Sequence, residues 1–477
     1  MVGLTGGLDM ESDEIETPFG IIDEQTVKAI ERWRYEAVQE VMDEVPSLRT
    51  REIAEFVADG GRVRSFIRVR GRPMGPWMLL AVDAILERDF EVSTVEWYGE
   101  PPSTAHVPPI TKSVPVSASQ SKNVLFHATR FVTEKKSGRK WAITTEEDLR
   151  CGAFYFSFET AEDDEDVKMQ RIWKSMRHWL RTESPMKGGA LRAGGSFMDL
   201  DESITLDDVV LSDEVRKAIT KNVLTFLKNV VTFTKNGNKD SRGVLLTGPP
   251  GCGKTLTSRA LVNRRGDATS IYVSSDDIRE PGHLTSIYTL ARAFSPTLVI
   301  IEDLDCLGGA GMDRKKSAGH PLLGEFLEIL SGSTDNSQVV TVASTNHPNL
   351  LDEALINRPG RIDAIIPVSF PDTRGRRLII EMEIKHHNVE EGIDIASLAK
   401  ETEGFTGSHL VGLVNDAELE SMHRLGSDGD DDEKVLITQA DFDTALAEIK
   451  ETRERAAGSI MVEIRPREDP SYGEAYR

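Results

Sequence analysis

Two short stretches of the chain carry residues whose types and spacing suit phosphate chemistry. The first, GVLLTGPPGCGKT, contains the pattern G-x-x-x-x-G-K-[ST], which runs from Gly248 to Thr255. Its glycines allow consecutive backbone N–H groups to turn toward an anion, and the N-terminus of a following helix attracts the same negative charge. Lys254 is expected to reach the β- and γ-phosphates of a nucleotide, and the Thr255 hydroxyl is expected to bind Mg²⁺.

The residues around this loop support the same interpretation. VLLT is an apolar strand before the loop, and TLTSRALVN is a plausible helix after it. The residues predicted to bind the nucleotide in this loop are Gly248, Pro249, Pro250, Gly251, Cys252, Gly253, Lys254, Thr255 and Leu256.

The second stretch, TLVIIEDLDCLGG, begins at Thr297 and delivers two adjacent carboxylates at the end of an apolar run. Beside a phosphate loop, such a pair suits a magnesium ion and an attacking water. Glu302 is expected to hold Mg²⁺ through the water shell of the metal, and Asp303 is expected to orient or polarise the water. Alone, the stretch would be only a strand with a charged end.

A third stretch, VVTVASTNHPNLLDEALINRPGRID, supplies an amide and two guanidinium groups. Asn346 ends a strand, where its side chain could bond the γ-phosphate or the attacking water. Arg358 and Arg361 follow, and planar, permanently charged guanidinium groups suit the charge that develops on a transferred phosphoryl group.

The elements that must position these residues alternate between strand and helix. Apolar strands are predicted at VLLTG, SIYVS, TLVIIED, VVTVAS and AIIPVSF, with helical segments between them, and the chain is helical after about residue 371. This order predicts an α/β fold, a parallel sheet covered by helices and followed by a helical lid.

The residues before this region predict a separate α+β domain. Short β-branched and aromatic runs between about residues 90 and 159 indicate several strands, and helices are expected before them. The predicted boundaries are a disordered acidic tail at 1–20, an N-terminal client or partner domain at 21–185, a glycine-rich linker at 186–203, an αβα subdomain at 204–371, a helical lid at 372–456 and a tail at 457–477.

Composition limits the classes of protein to which the chain could belong. Its 477 residues are 39% hydrophobic and 29% charged, which is usual for a soluble globular protein of several domains. The net charge of −22 disfavours nucleic acid as a partner, although arginines recur between Arg62 and Arg72. The sequence contains neither a long apolar run that could span a membrane nor a signal-peptide pattern, and its 3 cysteines are far apart. We therefore expect a cytoplasmic protein.

The motifs GPPGCGKT, LVIIEDLD, ASTN, ALINRPGRID, SFPDTRGR and EGFTGSHL resemble, in order and spacing, those of AAA (AAA+) ATPases. The similarity covers about residues 204–455 and points to the branch that contains katanin, the membrane-anchored FtsH proteases and the valosin-containing unfoldase. It implies a P-loop αβα domain with a helical lid, ATP and Mg²⁺ as cofactors, and a ring that is usually a homo-hexamer. It also implies that Arg358 and Arg361 act on the ATP of the neighbouring subunit.

The resemblance further implies the site of the adenine base. Gly407 and Ser408 match the lid segment that lines the adenine pocket, and Asp207 and Val209 match its other side.

Three departures from the family pattern bear on function. The acid pair reads Glu–Asp, an order that resembles the mitochondrial Bcs1-like ATPases, where the commonest order is Asp–Glu. LDEALINRPGR has one residue more before its arginines than the commonest spacing. SSDDIREPGHLTS lacks the aromatic residue that unfoldases of this branch place in their central pore.

These features leave three functional hypotheses. The first is a chaperone-like ATP-driven ring that remodels a protein client through its N-terminal domain. The second is an ATP-dependent assembly switch or scaffold with slow hydrolysis, which the missing pore aromatic favours. The third is a nucleic-acid-remodelling ATPase that uses the arginines between 62 and 72, and the net acidity disfavours it. A proteolytic member is not expected, because the sequence contains no H-E-x-x-H zinc motif.

Overall fold

The computed structural model describes residues 15–17, 20–22, 48–70, 74–98, 106–148, 152–161, 166–308, 321–330, 336–347, 362–425 and 435–463. Most of the predicted acidic tail lies outside these residues, and so do Arg358 and Arg361. The chain divides into two compact units. The first contains residues 1–205, 219–246 and 258–366, and the second contains residues 206–218, 247–257 and 367–477.

The N-terminal part of the first unit is built on an antiparallel sheet. Seven strands take part, in the order β3-β9-β8-β7-β4-β5, with β6 paired to β7. A separate hairpin, β1–β2, precedes them. The strands are β1 (Ile15–Thr17), β2 (Gly20–Ile22), β3 (Val63–Arg70), β4 (Phe90–Tyr98), β5 (His106–Val107), β6 (Ile110–Pro115), β7 (Ser121–Glu134), β8 (Lys140–Asp148) and β9 (Ala153–Ala161).

Helices cover both faces of this sheet, namely α1 (Leu48–Ala58), α2 (Met74–Asp89) and α3 (Asp166–Thr182). Phe56 of α1 packs edge-on against Phe131 of β7, with ring centroids 5.2 Å apart. On the opposite face, Phe156 and Phe158 of β9 pack against Trp173 of α3 at 5.7 and 6.4 Å. The predicted α+β N-terminal domain is therefore confirmed.

The arginines of β3 lie on the aromatic face of the sheet. In the β3–β9 register, Arg68 is opposite Phe156 and Arg70 is opposite Phe154. The Arg70 guanidinium lies over the Trp173 ring, 4.8 Å from its centroid. This face carries aromatic packing, so it is neither a bare solvated strand face nor an open basic stripe.

The second sheet of the first unit has six strands, and in it β10 pairs in parallel with β12, β12 with β13 and β13 with β14. The strand order is β10-β12-β13-β14-β11-β15. The strands are β10 (Ala190–Arg192), β11 (Arg242–Thr247), β12 (Thr269–Val273), β13 (Thr297–Ile301), β14 (Val339–Thr345) and β15 (Ala364–Pro367). The helices in this part of the chain are α4 (Asp213–Ile219), α5 (Phe226–Lys235), α6 (Lys254–Asn263), α7 (His283–Ala293) and α8 (Pro321–Leu330).

The predicted linker contains β10, which adds a strand to this sheet. Leu191 is opposite Ile271 in a parallel register, and the Ala193 N–H donates to the Tyr272 carbonyl at 3.1 Å. The four residues between the two glycine pairs, Ala190 to Ala193, form too short a pattern to indicate a strand.

The N-terminal domain also shares a core with this six-stranded sheet, because Trp77 of α2 packs edge-on against Phe294 at 5.5 Å.

The second unit contains the predicted helical lid, formed by α9 (Thr373–Ile384), α10 (Ile395–Glu401), α11 (Gly407–Leu425) and α12 (Gln439–Glu463). Asp372 and Asp394 cap α9 and α10, accepting hydrogen bonds from the Gly375 and Ser397 amides. The α12 helix continues past residue 456, where the lid was expected to end. None of the described helices is both long and apolar enough to cross a membrane.

Candidate nucleotide site

The phosphate loop of the second unit has the backbone that its glycines predicted. Gly248, Gly251 and Gly253 have φ values of +155°, +77° and +90°, which residues with a Cβ rarely adopt. A Cβ on Gly248 would lie 2.0 Å from the Val368 carbonyl oxygen. Only glycine fits at this position, so the loop keeps a concave backbone with the shape of an anion cradle.

Lys254 lies at the start of α6 and is only 6% exposed. Its Nζ donates to the carbonyl oxygens of Gly248 and Pro249 at 2.7 and 2.8 Å. The ammonium group is therefore held over the hollow of the loop, where the sequence predicted a phosphate-binding cation. Burial raises the pKa of the neighbouring Cys252 thiol, and the charge of Lys254 opposes this shift. The thiol is therefore protonated at neutral pH.

The residues predicted to line the adenine pocket divide into two groups. The Ser408 N–H donates to the Gly251 carbonyl at 3.2 Å, and a Cβ on Gly407 would lie 3.1 Å from the same oxygen. The lid segment therefore contacts the loop. The Asp207 side chain is 83% exposed and accepts from Arg216 at 3.0 Å, and its place beside the adenine base stays a prediction.

Two further residues that the motifs did not indicate contact the phosphate loop. Val209 was expected only through the resemblance, and its Cγ1 lies 3.3 Å from the position of a Cβ on Gly253. Thr406 was not predicted. Its hydroxyl lies 2.8 Å from the position of a Cβ on Gly251 and shares a 2.9 Å hydrogen bond with His409 Nδ1. The sequence EGFTGSH gave no signal that this threonine faces the loop.

The acid pair of the first unit follows β13, all of whose residues are buried. Asp303 has a φ of +51°, and its N–H donates to the Ser344 hydroxyl at 3.2 Å. Its Oδ1 accepts from Asn346 Nδ2 at 3.2 Å. The structure therefore brings together two of the predicted catalytic residues, Asp303 and Asn346, because β13 and β14 are adjacent and parallel.

Glu302 has one polar atom that lacks a partner. Its N–H donates to the Val273 carbonyl at 3.0 Å, which fixes the backbone. Its Oε1 is buried and makes no hydrogen bond to any residue that the structure describes. An unsatisfied buried carboxylate oxygen is costly, and a water of a magnesium shell would satisfy it. The donor set therefore fits Mg²⁺, and the glycine cradle fits a nucleotide phosphate.

Asp305 was not among the predicted site residues, yet it holds the backbone of Asn346 in place. Its Oδ1 accepts from the Thr345 hydroxyl at 2.8 Å and from the Asn346 backbone N–H at 3.1 Å. Because Asn346 in turn bonds Asp303, the three residues form one chain of hydrogen bonds across the ends of β13 and β14.

We expect Asp305→Ala to lower kcat for ATP hydrolysis about tenfold, because it frees the Asn346 backbone and leaves two donors without their acceptor. Steady-state assays at saturating ATP and Mg²⁺ measure this change. The control is Thr345→Ser, which keeps the hydroxyl that Asp305 accepts from, and its kcat should stay within about twofold. An unchanged kcat in Asp305→Ala would show that Asn346 does not depend on this anchor.

Arg358 and Arg361 lie outside the described residues, and their action on a neighbouring subunit stays a prediction.

The family comparisons cover the region that contains the predicted site residues. Residues 244–370 match the model of the ATPase family associated with various cellular activities (AAA), and residues 392–444 match the AAA+ lid domain. The chain is 32% identical over 285 residues to the ATP-dependent zinc metalloprotease FtsH of Halothermothrix orenii, which covers 57% of this chain and 44% of that protein.

A second relative of the same name, from Cupriavidus metallidurans, is 33% identical over 364 residues, or 70% of this chain and 54% of that protein. A third, ATP-dependent zinc metalloprotease FtsH 1 of Petrotoga mobilis, is 33% identical over 259 residues, covering 52% of this chain and 38% of that protein. The chain thus spans about half the length, or less, of these relatives.

Proposed function

We propose that this chain is a ring-forming remodeller of a protein client. The premise is that it carries a single AAA+ ATPase module with its lid and uses ATP with Mg²⁺. The N-terminal domain binds the client, the ring is a homo-hexamer, and the protein works in the cytoplasm.

The observation that carries the hydrolytic part is the hydrogen bond between Asp303 and Asn346. It gives the second acid a fixed orientation, which an attacking water requires of a general base. Both residues are held by further hydrogen bonds. The Asp303 N–H donates to the Ser344 hydroxyl, and the Asn346 backbone N–H donates to the Asp305 carboxylate. A strand end that merely carried charge would not need such a network.

The observation that supports remodelling is the shared core of the first unit. Besides the contact of Trp77 with Phe294, Lys187 Nζ donates to the carbonyl oxygens of Phe294 and Ser295 at 3.3 and 2.9 Å. Trp77 thus joins the N-terminal domain, and Lys187 joins the segment that follows it, to the end of α7, which packs on the six-stranded sheet. A displacement of that sheet during the ATP cycle would therefore be passed to the client domain.

One observation favours the alternative of an assembly switch. The segment after β12 contains no aromatic residue, and its backbone is pinned by side chains. Ser274 and Asp277 form a reciprocal capping box, and Glu325 of α8 accepts from the Gly282 and Thr285 amides at 3.0 and 2.8 Å. A loop fixed in this way is poorly suited to gripping a polypeptide.

Mixing two inactive variants tests whether the protein works as a ring. We expect Arg361→Ala to lose most ATPase activity, because its own ATP lacks the charge that stabilises the transition state. We expect Asp303→Asn to be inactive for a different reason, and it still supplies Arg361 to its neighbours. A mixture of the two should therefore recover activity well above the sum of the separate variants.

The control for this experiment is a mixture of Arg361→Ala with Arg361→Ala/Asp303→Asn, which supplies no arginine and should stay inactive. Full activity of Arg361→Ala alone would contradict a ring with shared sites. Wild-type turnover far below about one per second, together with ATP-dependent assembly, would favour the switch over the remodeller.

A further inference from the structure

The lid helix α11 begins at Gly407, and two reciprocal hydrogen bonds close its N-terminus. The His409 N–H donates to the Thr406 hydroxyl at 3.3 Å, and the Thr406 N–H donates back to His409 Nδ1 at 3.2 Å. Such a pair of bonds between one residue and the third residue after it is a capping box. In this box the side-chain acceptor is an imidazole, whereas the box at Ser274 uses the carboxylate of Asp277.

This cap lies directly against the phosphate loop. A Cβ on Gly251 would lie 2.8 Å from the Thr406 hydroxyl and 3.0 Å from the Ser408 hydroxyl. The Ser408 N–H, in the first turn of α11, donates to the Gly251 carbonyl at 3.2 Å. Because Ser408 lies between the two residues of the box, the direction of its N–H depends on the box staying closed.

The box can close only when His409 Nδ1 carries no proton. The Thr406 N–H can only donate, and it belongs to a residue that is 5% exposed, so it requires the lone pair of Nδ1. The Thr406 hydroxyl lies 2.9 Å from the same nitrogen. A proton on Nδ1 would leave the buried N–H without an acceptor, which is costly. The cap is therefore expected to open when the imidazole becomes charged.

The surroundings of His409 favour the uncharged imidazole. Its ring packs edge-on against Phe405, with centroids 5.6 Å apart, and the Arg453 guanidinium of α12 lies 4.4 Å from the centroid of Phe405. Burial lowers the pKa of His409, and the positive charge of Arg453 lowers it further. The box is therefore complete above about pH 6.5, the ordinary value for histidine, and is lost as the pH falls through the lowered pKa.

We propose that His409 is a positioning residue of the nucleotide site, whose neutral imidazole closes the N-terminus of α11 and so holds Thr406 and Ser408 against the phosphate loop. Protonation of His409 opens the cap, loosens this contact and lowers the affinity for ATP. The inference requires only that the phosphate loop binds ATP. It depends neither on a ring nor on a client, so it can fail while the proposed function stands.

The test compares wild type with His409→Asn, whose Oδ1 is an acceptor that does not titrate. The Kd of a fluorescent ATP analogue with excess Mg²⁺ is measured at pH 7.5 and at pH 5.0. At pH 7.5 the two proteins should agree within about twofold, and on acidification the Kd of wild type should rise about threefold more than that of His409→Asn. The phosphates of the nucleotide titrate equally for both proteins, so the comparison removes their contribution. An equal acid response in the two proteins would overturn the proposal.

His409→Phe removes the acceptor and keeps a ring that can pack on Phe405. Its Kd at pH 7.5 should be about fivefold above that of wild type, and its acid response should be no larger than that of His409→Asn. Binding as tight as wild type at pH 7.5 would show that the box does not position the loop. The comparison with His409→Asn decides the proposal even if His409→Phe is too unstable to measure.

His423→Gln is the matched control. It removes an exposed histidine from the last turn of the same helix, far from the cap. We expect it to keep both the Kd and the acid response of wild type. If His423→Gln abolished the acid response, the group that titrates would not be His409, and the proposal would be wrong.

Discussion

Asp303→Asn is expected to lower kcat for ATP hydrolysis by about 100-fold or more while MgATP affinity stays within about threefold of wild type. The substitution keeps the size of the side chain and removes its negative charge. An asparagine can still accept from Asn346 Nδ2, as Asp303 Oδ1 does at 3.2 Å, so the local backbone should be preserved. What it cannot do is attract a proton from the attacking water.

Two measurements made on the same preparation check this prediction. Phosphate release gives kcat, and equilibrium binding of a fluorescent ATP analogue gives affinity. Glu87→Gln is the control, since it neutralises an exposed carboxylate of the same unit that lies on α2, in the N-terminal part of the chain. Its kcat should be unchanged. Normal hydrolysis by Asp303→Asn would refute the role assigned to Asp303.

The matching variant Glu302→Gln tests the order of the two acids. If Glu302 serves the metal and Asp303 serves the water, Glu302→Gln should raise the Mg²⁺ requirement more than Asp303→Asn does. Asp303→Asn should instead hold MgATP without turnover. That trapped state is also the best form in which to capture a protein client, because a remodeller that cannot hydrolyse ATP should not release what it has bound.

The sequence predicted the parts of the site that depend on one motif or on adjacent strands. One apolar strand ends in acids and a second ends in asparagine, and a parallel sheet is enough to bring Asp303 and Asn346 together. In the structure their side chains are hydrogen-bonded. The glycines of the loop were equally predictable, because their positive φ values follow from the need to turn N–H groups inward.

The parts that escaped prediction depend on tertiary contacts that no local pattern encodes. In the sequence, nothing but a shift of two residues distinguishes Asp305 from Asp303. The partners of Asp305, Thr345 and Asn346, come from another strand. The ion pair of Asp207 with Arg216 likewise joins two residues that no motif links. β10 is too short for its residues to show a period.

The backbone contacts of the phosphate loop show the same limit. The sequence places the loop in the αβα subdomain together with the acid pair, and the family model over residues 244–370 spans both. In the structure, residues 247–257 group with the lid because the Gly251 carbonyl accepts from the Ser408 amide and the Thr247 carbonyl accepts from the Val368 amide at 2.7 Å. The loop that binds phosphate is thus tied by backbone bonds to residues more than a hundred positions later.

These bonds make Gly248 the most sensitive position of the loop. We expect Gly248→Ala to weaken ATP binding by tenfold or more and to lower the melting temperature by several degrees, since strain of this kind costs about 1–3 kcal/mol. Alanine would have to adopt a φ of +155° and would place its Cβ 2.0 Å from the Val368 oxygen. The Val368 backbone must therefore move, and its bond to Thr247 must break.

Gly412→Ala provides the opposite expectation within the same unit. Gly412 lies inside α11, and a Cβ there would have no atom within 4 Å. Alanine at that position should raise stability by about 0.5–1 kcal/mol through helix propensity and leave ATP affinity unchanged. Calorimetry measures the stability of both variants, and equilibrium binding measures their affinity for ATP. Equal, small effects would mean that the loop tolerates a side chain at Gly248, and the cradle could not then depend on the contact with Val368.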